Sequence, residues 1–166
     1  MSPTADPPSA ADRRAIEAAI PHRDPFLFVD RIVERGDAHL ISTWRVPPDG
    51  AWFRGHYPTQ PILPGVLICE HVFQTAALLV SHALGGFHEA DGVPVLTKIE
   101  MARFRRVVRP GDTLSTRVDV EERLGPAWYL SGRVTSDGAK ITQVRFVLSA
   151  TDAMARTGPP AATETS

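Results

Sequence analysis

Residues 65–84, Gly65-Val66-Leu67-Ile68-Cys69-Glu70-His71-Val72-Phe73-Gln74-Thr75-Ala76-Ala77-Leu78-Leu79-Val80-Ser81-His82-Ala83-Leu84, decide the fold. The run holds no proline, carries its only acidic or basic charge at Glu70, and is too long for a strand, so it reads as a helix. Glu70, Gln74 and Ser81 share one helical face, His71, Thr75 and His82 lie on the adjacent line, and the remainder is mostly apolar. A helix that is apolar nearly all round, with one narrow polar seam, belongs inside a protein.

What flanks it is strand-like. Upstream, Asp12 to Ile20 reads as a short helix stopped by Pro21, and residues 26–34 and 39–46 read as strands joined by a turn at Gly36-Asp37. Downstream, strands are expected at 94–104, 113–123, 128–136 and 141–150, with turns at Pro110-Gly111-Asp112, Leu124-Gly125-Pro126 and Ser136-Asp137-Gly138. This order is an α+β layout in which one curved antiparallel sheet wraps the central helix. A single long helix and no glycine-rich strand–turn–helix segment exclude a dinucleotide-binding doubly wound fold.

The 166 residues include 18 Lys+Arg and 19 Asp+Glu, for a net charge of −1. That length suits one domain, taken as 11–151, between loose tails at 1–10 and 152–166 that hold Pro3, Pro7, Pro8, Pro159 and Pro160 among Ala, Ser, Thr and Gly. The near-neutral balance speaks against bulk nucleic-acid binding. No segment has the roughly 18 consecutive apolar residues of a membrane span, and the N-terminus lacks a signal-peptide pattern, so a cytoplasmic protein is expected. Cys69 has no second thiol for a disulfide or a cysteine-rich zinc site, and its apolar flanks suit a packed thiol.

The chemistry concentrates in 53–70. Pro58, Pro61 and Pro64 fix φ repeatedly between His56 and the helix that carries Glu70, so His56 is held in a defined place. Pro64-Gly65 opens the helix with unpaired N–H groups and the positive end of its dipole, a cradle for an oxygen that gains negative charge. A lone glutamate in an apolar helix needs a partner or a raised pKa. On residues alone, a His56/Glu70 acid–base pair and two merely packed side chains stand level. His56, His71, His82 and His88 lack the spacing of a metal motif, so no metal is expected.

Three stretches together resemble the bacterial 3-hydroxyacyl-[acyl-carrier-protein] dehydratases, the FabZ-like members of the hotdog fold. They are Ile20 to Arg31, similar to PHR-x-PFL-x-VDR; Phe53 to Gln74, similar to F-x-GHFP-x-x-P-x-MPGVL-x-x-E-x-x-x-Q; and Ala102 to Asp112, similar to x-RFRR-x-V-x-PGD. The resemblance implies a hotdog fold and removal of water from 3-hydroxyacyl thioesters in fatty acid or polyketide/polyene-type biosynthesis. It makes His56 the base and Glu70 the acid, the two coming from different subunits of a dimer with the acyl chain in a tunnel at the interface. Glu70, where a second branch of the family carries Asp, favours dehydration without isomerisation.

The backbone N–H of Gly65 is then the donor to the thioester oxygen, with Gln74 orienting Glu70 or simply packed. Phe26, Phe28, Tyr57 and Phe73 are candidates for the tunnel. No cofactor is implied, because the substrate rides on the phosphopantetheine arm of acyl carrier protein. Arg103, Arg105, Arg106 and Arg109 are candidates for docking that acidic carrier, although alternation puts Arg106 on the face opposite Arg103 and Arg105. His22 and Arg23 are read as structural or tunnel support. His71 and Phe73 replace small residues usual in the family, which leaves a specialised pathway open. A homodimer, a trimer of dimers and a heterodimer with a paralogue remain open as assemblies. A partly impaired partner subunit and a hotdog thioesterase are the alternative functions.

Overall fold

The computed structural model describes residues 8–86 and 93–151. Helix α1 (Ala10–Ala19) starts at a reciprocal cap. The Ser9 hydroxyl accepts from the Asp12 N–H (3.1 Å), and the Asp12 carboxylate accepts from the Ser9 N–H (2.9 Å). Ser9 and Ala10 therefore belong to the domain, where the sequence placed them in the tail. The rest of the two tails, residues 1–7 and 152–166, lies outside the described residues. Ile16 and Ile20 anchor α1 in the core.

Six antiparallel strands follow: β1 (Arg31–Arg35), β2 (His39–Arg45), β3 (Val93–Phe104), β4 (Thr113–Leu124), β5 (Ala127–Ser136) and β6 (Ala139–Thr151). They form one sheet in the order β1-β2-β4-β5-β6-β3. Helix α2 (Gly65–Ala83) lies against β2, β3, β4, β5 and β6, the hotdog arrangement expected from the sequence. Alternation sets the inner face, as Leu40, Ser42 and Trp44 of β2 and Leu114, Thr116 and Val118 of β4 point inward. Helix and sheet approach so closely at Gly132 that a Cβ there would collide with the Val72 side chain. By length and composition α2 could cross a bilayer, but the sheet covers most of it instead.

One expectation is corrected. The strand read at 26–34 is a strand only over Arg31–Arg35. Residues 26–29 lie over α2, and the Phe28 N–H donates to the side chain of Gln74 (2.8 Å) where a strand would donate to a neighbouring strand. The apolar run Phe26-Leu27-Phe28-Val29 lacks the alternation of a half-buried strand because it packs over the helix and not within the ladder.

The polar seam of α2 is resolved pair by pair. Thr75 Oγ1 donates to the His71 carbonyl (2.7 Å), so the 2.7 Å contact between Ser42 and Thr75 is donated by Ser42. His71 itself is fully buried against Trp44, ring centroids 5.7 Å apart, and neither ring nitrogen has a hydrogen-bond partner of normal geometry. Burial pushes its pKa down from 6.5 to about 4, opposed by the Phe28 backbone. Below pH 6.5 the unfolded chain takes up a proton that folded His71 refuses, so this contribution to stability is lost as pH falls toward 4. Urea denaturation at pH 7 and pH 5 should show the wild type losing about 1–2 kcal/mol more than His71→Leu. Equal losses in the two proteins would contradict a neutral buried His71.

Candidate active site

His56 is positioned by a short scaffold between β2 and α2. A single 3-10 turn (Ala51–Arg54) is anchored by Phe53, which is buried, and by Trp52, whose ring stands edge-on to Phe28 at 5.9 Å. The Trp52 carbonyl accepts the backbone N–H of His56 (2.9 Å). Farther along, the N–H of buried Leu63 donates to the Val108 carbonyl (2.8 Å), which ties the proline-rich stretch to the loop after β3. Tyr57 stands between these anchors at a φ of 49°, a left-handed backbone unusual for a tyrosine, with its ring edge-on to His56 at 4.6 Å.

This loop fixes the imidazole as well as the backbone. His56 Nδ1 lies 3.0 Å from the Ile62 carbonyl oxygen. A carbonyl only accepts, so Nδ1 carries the proton and donates, and Nε2 is left with a free lone pair. That is the tautomer a general base requires.

Glu70 sits half-buried in the second turn of α2. Its Oε1 accepts from Gln74 Nε2 (2.9 Å), and Gln74 is itself fully buried. The Gln74 amide is oriented without ambiguity: its oxygen accepts from the Phe28 N–H, so its nitrogen faces the Phe26 carbonyl (3.1 Å) and Glu70. Burial raises the pKa of Glu70, and the Gln74 hydrogen bond acts in the opposite direction. The second neighbour is His22, with Nε2 3.6 Å from the same Oε1. Nothing in the linear order of residues brings His22 here, beyond its place in the Pro21-His22-Arg23 motif.

At the start of α2, Gly65 is pressed against Phe104, where a Cβ would stand 3.0 Å from the ring. The N–H groups of the first helical turn have no acceptor within the helix. Glycine thus keeps the approach to this turn narrow and its amide unshielded by a side chain.

Among the described residues no contact joins the two catalytic candidates within one chain: His56 meets Ile62 and Tyr57, whereas Glu70 meets Gln74 and His22. The candidates for the tunnel meet only in part. Phe26, which is exposed, stands edge-on to Phe28 (4.9 Å), which lies in the core against Trp44 (5.0 Å); Phe73 stands edge-on to Phe146 (4.8 Å), and Tyr57 is exposed. Arg103, Arg105, Arg106 and Arg109 are all exposed. Arg105 lines a groove of about 300 Å³ with Arg117, Arg133 and Lys140 from β4, β5 and β6, three cations the linear sequence did not associate with it. Asp119 pairs with Arg117 (2.8 Å) and Arg133 (2.7 Å). Among the described residues, no group of three or more His, Cys, Asp or Glu side chains is arranged to hold a metal ion.

A family model described as a FabA-like domain matches residues 20–145. The 3-hydroxyacyl-[acyl-carrier-protein] dehydratase FabZ of Anaeromyxobacter dehalogenans is 40% identical over 154 residues, covering 92% of this chain and 98% of that protein. The enzyme of the same name from Acidiphilium cryptum is 38% identical over 148 residues, 89% of each chain. Among solved structures, a chain of the dehydratase heterocomplex ApeI:P from Xenorhabdus doucetiae superposes with a TM-score of 0.56 at 27% identity, covering 71% of this chain and 96% of that one. The smu.793 protein of Streptococcus mutans, bound to acetyl CoA, superposes with a TM-score of 0.59 over 78% of this chain and 93% of that one; at 17% identity it shares the fold.

Gln74 links Phe26, Phe28 and Glu70, so its replacement has a large expected effect. Gln74→Leu leaves the buried Phe28 N–H and Phe26 carbonyl without their partner. Chemical denaturation should show a loss of at least about 2 kcal/mol. A loss below about 0.5 kcal/mol would mean that these groups find other partners.

Proposed function

The chain belongs to the FabA-like domain family as a 3-hydroxyacyl-[acyl-carrier-protein] dehydratase of the FabZ type, and from that premise we propose that His56 and Glu70 carry its chemistry across a dimer interface. The observation that carries the assignment is the His56 tautomer, with Nδ1–H held by Ile62 and Nε2 free to take a proton. Nε2 removes the proton from C2 of the 3-hydroxyacyl thioester, and charge develops on the thioester oxygen. The Gly65 N–H at the start of α2 donates to that oxygen. Glu70, whose pKa burial pushes up, is the proton donor to the C3 hydroxyl as the C3–O bond breaks. Water leaves, the C2=C3 bond forms, and the proton on His56 returns to Glu70 to close the cycle.

The dimer is supported by the two edges of the sheet. At one edge, β1 is five residues long, bulged, and carries Arg31, Glu34 and Arg35. These features discourage pairing. At the other, β3 runs twelve residues, pairs with β6 on one side, and exposes Leu96, Ile99 and Phe104. A second copy packed there would cover these side chains. A second reading, an unlike partner on the same edge, is favoured by the likeness to a dehydratase heterocomplex. The complete catalytic set on this chain favours the homodimer.

Carrier docking follows from charge. Arg105 and Lys140 line the groove described above, where an acidic carrier would meet positive side chains. Two measurements test this function. Dehydration of carrier-bound 3-hydroxyacyl substrates, followed by mass spectrometry, should fall at least about 100-fold in His56→Ala and in Glu70→Gln. Activity near wild type in either variant would overturn the assignment of that residue. Arg105→Glu with Lys140→Glu should raise KM several-fold for the carrier-bound substrate and leave a pantetheine thioester unaffected. Equal effects on both substrates would remove the groove from carrier binding.

A further inference from the structure

His22 was read from the sequence as support, and the structure puts it beside the proposed acid. It lies just after α1, between buried Ile20 and Arg23. The Arg23 guanidinium folds back to donate to the carbonyls of Ile20 (2.8 Å) and His22 (2.7 Å), which holds the loop in place. The ring is only partly exposed, its Nδ1 is buried with no partner among the described residues, and its Nε2 stands 3.6 Å from Glu70 Oε1. At 3.6 Å the pair is just beyond hydrogen-bond length, so the bond requires the ring to turn toward Oε1.

We propose that His22 is a positioning residue for Glu70: its neutral imidazole, protonated on Nε2, donates to Oε1 beside the Gln74 amide and steadies the carboxylate left after proton transfer. The inference rests on Glu70 being the acid. A carboxylate only accepts, so the tautomer that fits is the one with the proton on Nε2. With two donors directed at Oε1, the transferable proton belongs on Oε2, which has no partner among the described residues. Burial, and secondarily the Arg23 charge, push the pKa of His22 down, which favours the neutral ring. A neutral donor steadies the carboxylate without locking it as one half of an ion pair, so the carboxyl can be reprotonated on every turnover.

The other titratable groups here do not take this role. The Cys69 thiol is held protonated by burial and by the Glu70 charge. His71, the next residue of α2, points into the core against Trp44. Gln74 supplies the first donor and does not titrate.

The test reads Glu70 directly, by a carbon-13 titration of glutamate side chains in the intact protein, with the signal assigned from Glu70→Gln. His22→Phe retains a ring and removes the donor, and His22→Gln restores an N–H donor at similar reach. The Glu70 midpoint should rise by about one pH unit in His22→Phe and return to within a few tenths in His22→Gln. In the dehydration assay, kcat should fall about tenfold in His22→Phe with KM changed less than about twofold, and recover in His22→Gln. If His22→Phe does not fold, His22→Ala carries the same expectation. A Glu70 midpoint that does not move, or one displaced as far in His22→Gln as in His22→Phe, would overturn the role of His22 while leaving Glu70 as the acid. Full activity in Glu70→Gln would instead overturn Glu70 as the acid, whatever the titration shows.

Discussion

The structure turns on the buried side-chain amide of Gln74. A primary amide with no access to water must satisfy its oxygen and its nitrogen inside the protein. Gln74 does so by accepting from Phe28 and donating to the Phe26 carbonyl and to Glu70. The first two bonds hold residues 26–29 against α2, and the third aims the carboxyl. Fold and site thus share one side chain, and neither set of partners can be disturbed without the other. The desolvation that makes an unsatisfied amide costly is also what pushes the Glu70 pKa up.

The proposed base, His56, is held by different means. Three prolines limit the backbone from 58 to 64, and the aromatic contacts of Trp52 with Phe28 and Trp44 hold the 3-10 turn that precedes His56. Within that frame the Ile62 carbonyl selects the tautomer. A rigid loop for the base and a buried helix for the acid allow each to be assembled within one chain before the two meet. The proposed dimer then joins groups already oriented and requires little rearrangement at the interface.

Most of the architecture was legible because it rests on local periodicity. The strand read at 113–123 is Thr113–Leu124, and the one read at 128–136 is Ala127–Ser136. The failure at 26–34 has a physical cause: part of that run spends its hydrogen bonds on a helix side chain, which alternation cannot reveal. Ser9 was lost to the tail because its capping partner is visible only once the turn of helix is formed. At the site, the seam placed Glu70 and Gln74 on one helical face, and the structure shows the hydrogen bond between them. The approach of His22 to Glu70 was not legible, since it joins segments 48 residues apart through the packing of α1's exit on α2. The grouping of Arg105 with Arg117, Arg133 and Lys140 depends on strand register in the same way.

The central claim is that a working site takes its base from one subunit and its acid from the other. Co-expression of His56→Ala and Glu70→Gln chains carrying different tags, followed by purification of the mixed dimer, tests it most directly. One of its two sites then holds an intact His56 with an intact Glu70, and the other holds neither. The mixed dimer should recover about half the wild-type kcat per dimer, while each parent remains at background. A mixed dimer as inactive as its parents would contradict the shared site and place His56 and Glu70 in separate roles.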